Sequence, residues 1–170
     1  MQTTAVNLKK STSLWDRFAP FIISVSIALG VGTLSALITL KNMSLYEEII
    51  SPPLAPPAIL FPIVWSILYT LMGISAAMIF NRRKKFSKES QDALFTYSGS
   101  LIINFAWSII FFNMRAFLLS LAWLVLLLAF IIKTILQYKK LYPLAAYLQI
   151  PYLLWVIFAG YLNLAIYILN

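Results

Sequence analysis

Five long stretches of this chain are almost entirely apolar, and short polar segments separate them. The stretches cover residues 18–40, 58–80, 93–112, 116–136 and 143–169. A helix of about 20 apolar residues crosses roughly 30 Å of hydrocarbon, so each stretch is long enough to span a bilayer. None alternates apolar and polar positions as a membrane-spanning strand would. The pattern predicts an all-α integral membrane protein, a five-transmembrane-helix bundle over residues 18–170 that follows a basic tail, 1–17.

Polar and proline residues mark the limits of these stretches. Pro20 and Pro143 lie in predicted first turns, where the missing N–H of proline costs little. The segments 81–85 and 138–140 are polar stops. Basic residues precede the first stretch, as in a signal peptide, but its apolar run exceeds the usual 7–15 residues or so. We therefore expect a retained helix.

The composition agrees with a membrane protein and removes several kinds of chemistry. Hydrophobic residues make up 62% of the 170 residues and charged residues 11%, against roughly 45–50% and about 25% in soluble domains. Cysteine and histidine are absent. This excludes disulfides, Cys/His zinc sites, Ser-His-Asp triads and a haem held by His or Cys thiolate. We expect no metal site and no resident cofactor.

Positive charge is concentrated on one side of the predicted bundle. Of 13 Lys and Arg residues, 11 fall on the side of the N-terminal tail and the 81–92 and 137–142 loops, whereas Lys41 and Arg115 fall on the other. The positive-inside rule then predicts a cytoplasmic N-terminus, with the 41–57 loop and the C-terminus outside. The net charge of +8 is explained by this flanking, and no nucleic-acid motif accompanies it. Nucleic acid is not an expected partner.

The predicted helices carry aromatic residues and amides but no acid near their centres, which leaves a proton-coupled pump little to work with. Three of them place such residues at helical spacing: Phe61, Trp65 and Tyr69; Asn104, Trp107, Ser108 and Phe111; Tyr152, Trp155, Ala159 and Asn163. Buried indole N–H groups and amides need partners. A shared cavity would meet this need and would suit a large, flat, mostly apolar ligand. Ordinary helix packing with interfacial Trp and Tyr belts is the alternative.

Two further features leave alternatives open. The loop at 41–57 contains the segment 51–57, Ser-Pro-Pro-Leu-Ala-Pro-Pro, which is too rich in proline to be helical. It is either a binding element or a rigid connector. In the first span, Ala28, Gly32 and Ala36 permit close helix contact, within the bundle or between subunits.

Several segments together resemble the translocator protein family, also known as TspO, the peripheral benzodiazepine receptor or tryptophan-rich sensory protein. They are 51–57, 61–73 (Phe-Pro-Ile-Val-Trp-Ser-Ile-Leu-Tyr-Thr-Leu-Met-Gly), 104–112 (Asn-Phe-Ala-Trp-Ser-Ile-Ile-Phe-Phe) and 151–163, which holds Pro-Tyr-Leu-Leu-Trp and Leu-Asn. Their order and spacing are kept across four helices. The resemblance covers about residues 28–170.

This resemblance implies a homodimeric five-helix bundle, in a bacterial plasma membrane, with a ligand pocket under the 41–57 loop. It implies a receptor for porphyrins such as protoporphyrin IX, light-dependent porphyrin degradation as a further activity, and transport of tetrapyrroles or sterols as the alternative function. The positions that match are Tyr46, Pro52, Trp65, Tyr69, Asn104, Trp107, Trp155, Ala159 and Asn163. Trp65 and Trp155 match the two tryptophans linked to porphyrin chemistry.

The chain also departs from the family pattern. Leu45-Tyr46 stands where the family has Trp-Tyr, and 51–54 reads Ser-Pro-Pro-Leu in place of Lys-Pro-x-Trp. The loop therefore lacks two tryptophans and a lysine that would contact a ligand. Leu164 and Ile168 occupy the places of the family's cholesterol motif. High-affinity sterol recognition at that motif is not expected.

Overall fold

A computed structural model describes residues 14–42 and 44–170, so most of the predicted basic tail lies outside the described residues. Five helices are long: α1 (Leu14–Thr39), α3 (Leu60–Arg82), α4 (Ser87–Ser108), α5 (Phe117–Leu141) and α7 (Ile150–Leu169). Two are short, α2 (Leu45–Glu48) and α6 (Pro143–Tyr147). The described chain has five segments long and apolar enough to cross a membrane and contains no strand. The predicted fold class is confirmed.

Several helices are longer than their apolar stretches. The helix α4 begins at Ser87 rather than at residue 93, and α5 continues to Leu141 rather than ending at 136. Hydropathy reports only the part of a helix that lies in hydrocarbon. The backbone hydrogen bonds continue where polar side chains reach the headgroups and water.

Two spans that the sequence predicts as continuous helices contain irregular turns. The third ends in a π turn over Ile109–Asn113, closed by a hydrogen bond from the Met114 N–H to the Ile109 carbonyl at 3.1 Å. The fifth is divided at residues 148–149, between α6 and α7. Pro151, in the first turn of α7, lacks the N–H that would continue the helix from α6.

The helix α1 packs along α3, α4 packs on α5, and α5 packs on α7. At the α1–α3 contact the backbones are close, because a Cβ added to Gly73 would lie 2.5 Å from the Val25 Cα. The small residues of α1 lie at the same contact: Ala28 is fully buried, and Gly32 packs against the Tyr69 ring. Ala28 and Gly32 therefore serve a contact inside the bundle, whereas Ala36 is exposed.

The exterior of the bundle is apolar. Most of α1 is exposed, including Ile22, Ile27 and Leu37, while Met72 and Leu127 lie in the fully buried core. An apolar exterior of this extent is typical of lipid contact. The expected partnership with the lipid bilayer agrees with this surface.

Candidate ligand-binding cavity

A cavity of about 430 Å³ lies at the end of the bundle where α1 ends and α3 begins. Its volume is in the range of small-molecule sites, about 300–1,000 Å³. The walls come from α1, the 41–59 loop, α3, the end of α4 with its π turn, and α7. The lining residues are Gly32, Ser35, Ala36, Thr39, Ser44, Ala58, Phe61, Pro62, Trp65, Tyr69, Trp107, Ser108, Phe112, Trp155 and Ala159.

The helix α3 supplies one aromatic wall. Phe61, Trp65 and Tyr69 follow one another at four-residue spacing and all line the cavity, with 5.4 Å between the ring centroids of Trp65 and Tyr69. Such spacing keeps side chains on one face of a helix. Trp155 of α7 closes this wall, because its ring meets Phe61 edge-on at 6.0 Å. This wall thus brings together aromatic residues from the stripes of α3 and α7.

The wall from α4 differs from the prediction by one residue. Trp107 and Ser108 line the cavity, but Phe112 does so in place of the predicted Phe111. Phe111 is fully buried and packs its ring 5.4 Å from that of Phe117. A π turn holds about one residue more than an α turn, so the side chain that faces the cavity moves one position along the chain.

The two predicted amides lie behind the aromatic walls and do not line the cavity. Asn104 is buried and donates from Nδ2 to the Tyr69 hydroxyl at 2.9 Å. Asn163 is also buried, and its Oδ1 accepts from Ser120 Oγ at 2.9 Å and from Trp107 Nε1 at 3.5 Å. These hydrogen bonds satisfy Asn163 and the Nδ2 of Asn104, which would be costly to bury unpaired, whereas the Oδ1 of Asn104 is buried without a hydrogen-bond partner among the described residues. The amides therefore position the aromatic walls.

The remaining predicted residues are dispersed. Tyr152 is fully buried and meets the Trp65 ring edge-on at 6.2 Å. Pro52 is buried in the loop, and the Tyr46 side chain lies outside the described residues. Lys41, which follows α1, is not among the lining residues.

Sequence reasoning missed the wall that α1 contributes. Gly32, Ser35, Ala36 and Thr39 line the cavity, and the sequence assigned only helix packing to this helix. The Thr39 hydroxyl donates to the Ser35 carbonyl at 3.0 Å, which leaves a smooth face of small side chains. The sequence does hold an indication of this wall, because small residues continue after Ala28 and Gly32, through Ser35 and Ala36, to Thr39 at the end of α1.

The 41–59 loop borders the cavity through Ser44 and Ala58 and is attached at its first half to the turn after α4. Glu48 forms an ion pair with Arg115 at 2.8 Å. The Arg115 guanidinium, which donates a hydrogen bond to this carboxylate and attracts its charge, holds the pKa of Glu48 below its ordinary value of 4.5. Leu45, where the family has tryptophan, is buried in the core. The loop is thus anchored without the two missing tryptophans.

The second half of the loop is attached to α7. Tyr161 Oη donates to the Pro53 carbonyl at 2.9 Å. Asn170 pairs with the backbone of Ile50, accepting from its N–H at 2.8 Å and donating to its carbonyl at 3.3 Å. Leu54 adopts a left-handed backbone conformation (φ 66°), which turns the chain directly after these attachments. The loop is therefore structured, but only Ser44 and Ala58 of it line the cavity, and no residue of the proline-rich segment 51–57 is among the lining residues.

The fold and the cavity define an integral membrane protein of five helices with an aromatic cavity beside a proline-rich loop. Comparison with known proteins identifies the group more closely, because the TspO/MBR family model matches residues 23–169. The chain belongs to the TspO/MBR family.

Named relatives of this chain come from bacteria and mammals. The tryptophan-rich protein TspO of Chlorobaculum tepidum is 36% identical over 86% of this chain and 92% of its own length. The translocator protein of Bos taurus is 36% identical over 69% of this chain and 70% of its own length. The tryptophan-rich sensory protein of Cereibacter sphaeroides is 29% identical over 88% of both chains.

Proposed function

We propose that this protein is a membrane receptor for porphyrins of the protoporphyrin IX type and for related flat, apolar ligands. The observation that carries the proposal is the convergence of three of the five tryptophans, Trp65, Trp107 and Trp155, on one cavity. Phe61, Tyr69 and Phe112 add further aromatic surface to the same walls. Aromatic faces bind an extended π system by stacking and apolar burial.

The polar groups of the cavity suit a ligand that is apolar over most of its surface. Among the side chains that the structure describes, no charged group lines the cavity, and the polar ones are hydroxyl groups such as Thr39, Ser44 and Ser108. Burying a carboxylate among these groups would be costly. The ligand's carboxylates are therefore expected at the loop end, near water and the exposed Lys41. The ring system would lie against the tryptophans.

Protoporphyrin titration of the purified protein, followed by tryptophan quenching, tests this proposal. The Trp65→Phe/Trp155→Phe variant removes two indoles and should bind about ten-fold or more weakly, since each aromatic contact contributes about 0.5–1.5 kcal/mol. Trp123→Phe is the matched control, because the Trp123 indole donates to the Ile103 carbonyl and does not line the cavity. A double variant that binds as tightly as the control would show that the ligand lies elsewhere.

Light-dependent degradation of the bound porphyrin is the proposed further activity, with Trp65 and Trp155 as catalytic residues. Both indoles line the cavity, from α3 and α7, and indole is oxidisable. Illumination with and without oxygen, followed by mass spectrometry of the pigment, should give one defined product that the two tryptophan variants lose. The same mixture from free porphyrin in detergent would leave the protein as a binder only.

Transport of a tetrapyrrole or sterol is the alternative. It requires a path from the cavity to the opposite end, where the described core is filled by side chains such as Met72, Ile79 and Tyr138. Flux of protoporphyrin across proteoliposomes separates the two functions. Binding without protein-dependent flux favours the receptor.

We further propose a homodimer in a bacterial plasma membrane, with a cytoplasmic N-terminus and with the 41–57 loop and the C-terminus outside. The family resemblance supports the homodimer, and the distribution of Lys and Arg supports the orientation. Cross-linking in native membranes tests the assembly. Labelling of a single cysteine introduced into the exposed segment 82–88 from one side of intact cells tests the orientation.

A further inference from the structure

A second cavity, of about 730 Å³, lies at the opposite end of the same helix pair, where α1 begins and α3 ends. It shares no residue with the aromatic cavity. Its lining combines three cations with aromatic and polar groups, and no acid is among the lining side chains that the structure describes. The lining residues are Arg17, Phe18, Pro20, Phe21, Phe80, Asn81, Arg83 and Lys84.

The cations of this basic cavity are not neutralised by the part of the chain that the structure describes. There, the ion pair between Glu48 and Arg115 is the one salt bridge, and it lies at the other end of the bundle. The Arg83 guanidinium lies 3.5 Å from the centre of the Phe80 ring, a contact that positions the charge without cancelling it. Three like charges without carboxylate partners favour an anionic ligand.

The cavity is also divided between the two environments of a membrane surface. Phe18 and Phe80 are terminal residues of apolar spans, and Phe21 lies one turn inside the first span, so the rings are expected at the edge of the hydrocarbon. Arg17 directly precedes Phe18, and Arg83 and Lys84 follow Phe80, so the three cations lie just beyond the apolar spans. Arg82, which neighbours the cavity, stacks over the Tyr142 ring at 4.3 Å and is not part of the lining. A ligand that fits must be negative at one end and apolar at the other.

We propose that the basic cavity binds the phosphate group of an anionic phospholipid, with the acyl chains against the phenylalanine rings. Cationic pockets between transmembrane helices are suited to such headgroups. Free phosphate would share the charge complementarity but would make no use of the rings. The structure thus assigns this protein a lipid site that is separate from its aromatic cavity.

Native mass spectrometry of the full chain, titrated with phosphatidylglycerol or with phosphatidylcholine of the same acyl chains, tests the proposal. The variant Arg17→Gln/Arg83→Gln/Lys84→Gln removes the cavity cations. A cation at a membrane surface contributes about five-fold in affinity, so the three together give a loss on the order of 100-fold for phosphatidylglycerol. Binding of the zwitterionic phosphatidylcholine should be weak and should not change.

The matched control is Lys88→Gln/Lys139→Gln/Lys140→Gln, which removes the same charge from exposed positions outside the cavity. It should retain phosphatidylglycerol within about two-fold of the unmodified chain. Equal losses in the two triple variants would overturn the proposal, because the lipid would then respond to general surface charge. The single variants Arg17→Gln and Arg83→Gln should each show part of the loss.

Inorganic phosphate distinguishes the two sources of the anion. At millimolar concentration it should not displace phosphatidylglycerol, and displacement that depends on the cavity cations would overturn the lipid assignment. Porphyrin quenching of the tryptophans should be the same in both triple variants, since none of the altered residues lines the aromatic cavity. This readout also confirms that the variants are folded and keeps failure of the lipid site distinct from failure of the receptor function.

Discussion

Adding a single methyl group to Gly32 should disturb the aromatic cavity more than the same change two residues earlier. A Cβ at Gly32 would fall onto the Tyr69 ring, against Cε2 and Cδ2, whereas a Cβ at Gly30 meets nothing within 4 Å. In Gly32→Ala the ring must therefore move, and its hydroxyl leaves the 2.9 Å hydrogen bond from Asn104. Gly30→Ala is the matched control on the same helix.

The magnitude follows from three contributions. Overpacking of a well-packed site costs about 1–3 kcal/mol, and the lost hydrogen bond about 0.5–1.5 kcal/mol. Replacing glycine with alanine in a helix raises the free energy of unfolding by about 1 kcal/mol in both variants, so this contribution cancels in the comparison. The free energy of unfolding of Gly32→Ala should thus lie about 2–4 kcal/mol below that of Gly30→Ala.

Reversible unfolding of both variants in the same detergent, followed by circular dichroism, measures this difference. A smaller side chain at the other position should remove the clash, so Gly32→Ala/Tyr69→Leu should lose less stability than the sum of its single changes. Equal stability of Gly32→Ala and Gly30→Ala would refute the assigned contact between α1 and α3. Additive effects in the double variant would refute the clash as the cause.

Two further predictions concern the anchors of the 41–59 loop. Arg115 lowers the folded-state pKa of Glu48, so the ion pair contributes its full stability above pH 4.5 and loses it as the pH falls through the lowered pKa. The Tm of Glu48→Gln should therefore fall less steeply with acid than that of the unmodified chain. An identical fall in both would contradict the ion pair. Tyr161→Phe removes the donor to the Pro53 carbonyl and should speed hydrogen exchange at residues 54–55, while Tyr167→Phe, a change at an exposed tyrosine of the same helix, should not.

Hydropathy was sufficient to predict the five spans, because lipid requires a long apolar helix wherever the chain crosses the membrane. The alignment of Phe61, Trp65 and Tyr69 on one face could also be predicted, because regular helix geometry fixes which side chains share a face. The prediction fails where the geometry is irregular. Because of the π turn at 109–113, Phe112 lines the cavity in place of Phe111. The residue types in this segment do not predict a π turn.

The roles of the amides were also beyond the sequence. The sequence predicts that Asn104 and Asn163 face a ligand, because a buried amide needs hydrogen-bond partners. Helical periodicity gives the face of the helix on which each amide lies, but it does not identify the group that the amide contacts. Their partners are Tyr69 and Ser120 on neighbouring helices, at sequence separations that no local pattern encodes. The anchors of the loop, such as that between Ile50 and Asn170, escape sequence reasoning for the same reason.

The attachment of the 41–59 loop to α7 bears on the order in which the protein is assembled during synthesis. The hydrogen bonds from Ile50 to Asn170 and from Tyr161 to Pro53 join residues 120 and 108 positions apart. A ribosome adds residues at about 5–20 per second, so the early helices wait several seconds in the membrane before these partners emerge. Until then the wall bearing Trp155 is missing, and Phe61 and Trp65 are open to lipid. The aromatic cavity is therefore incomplete until α7 has been synthesised.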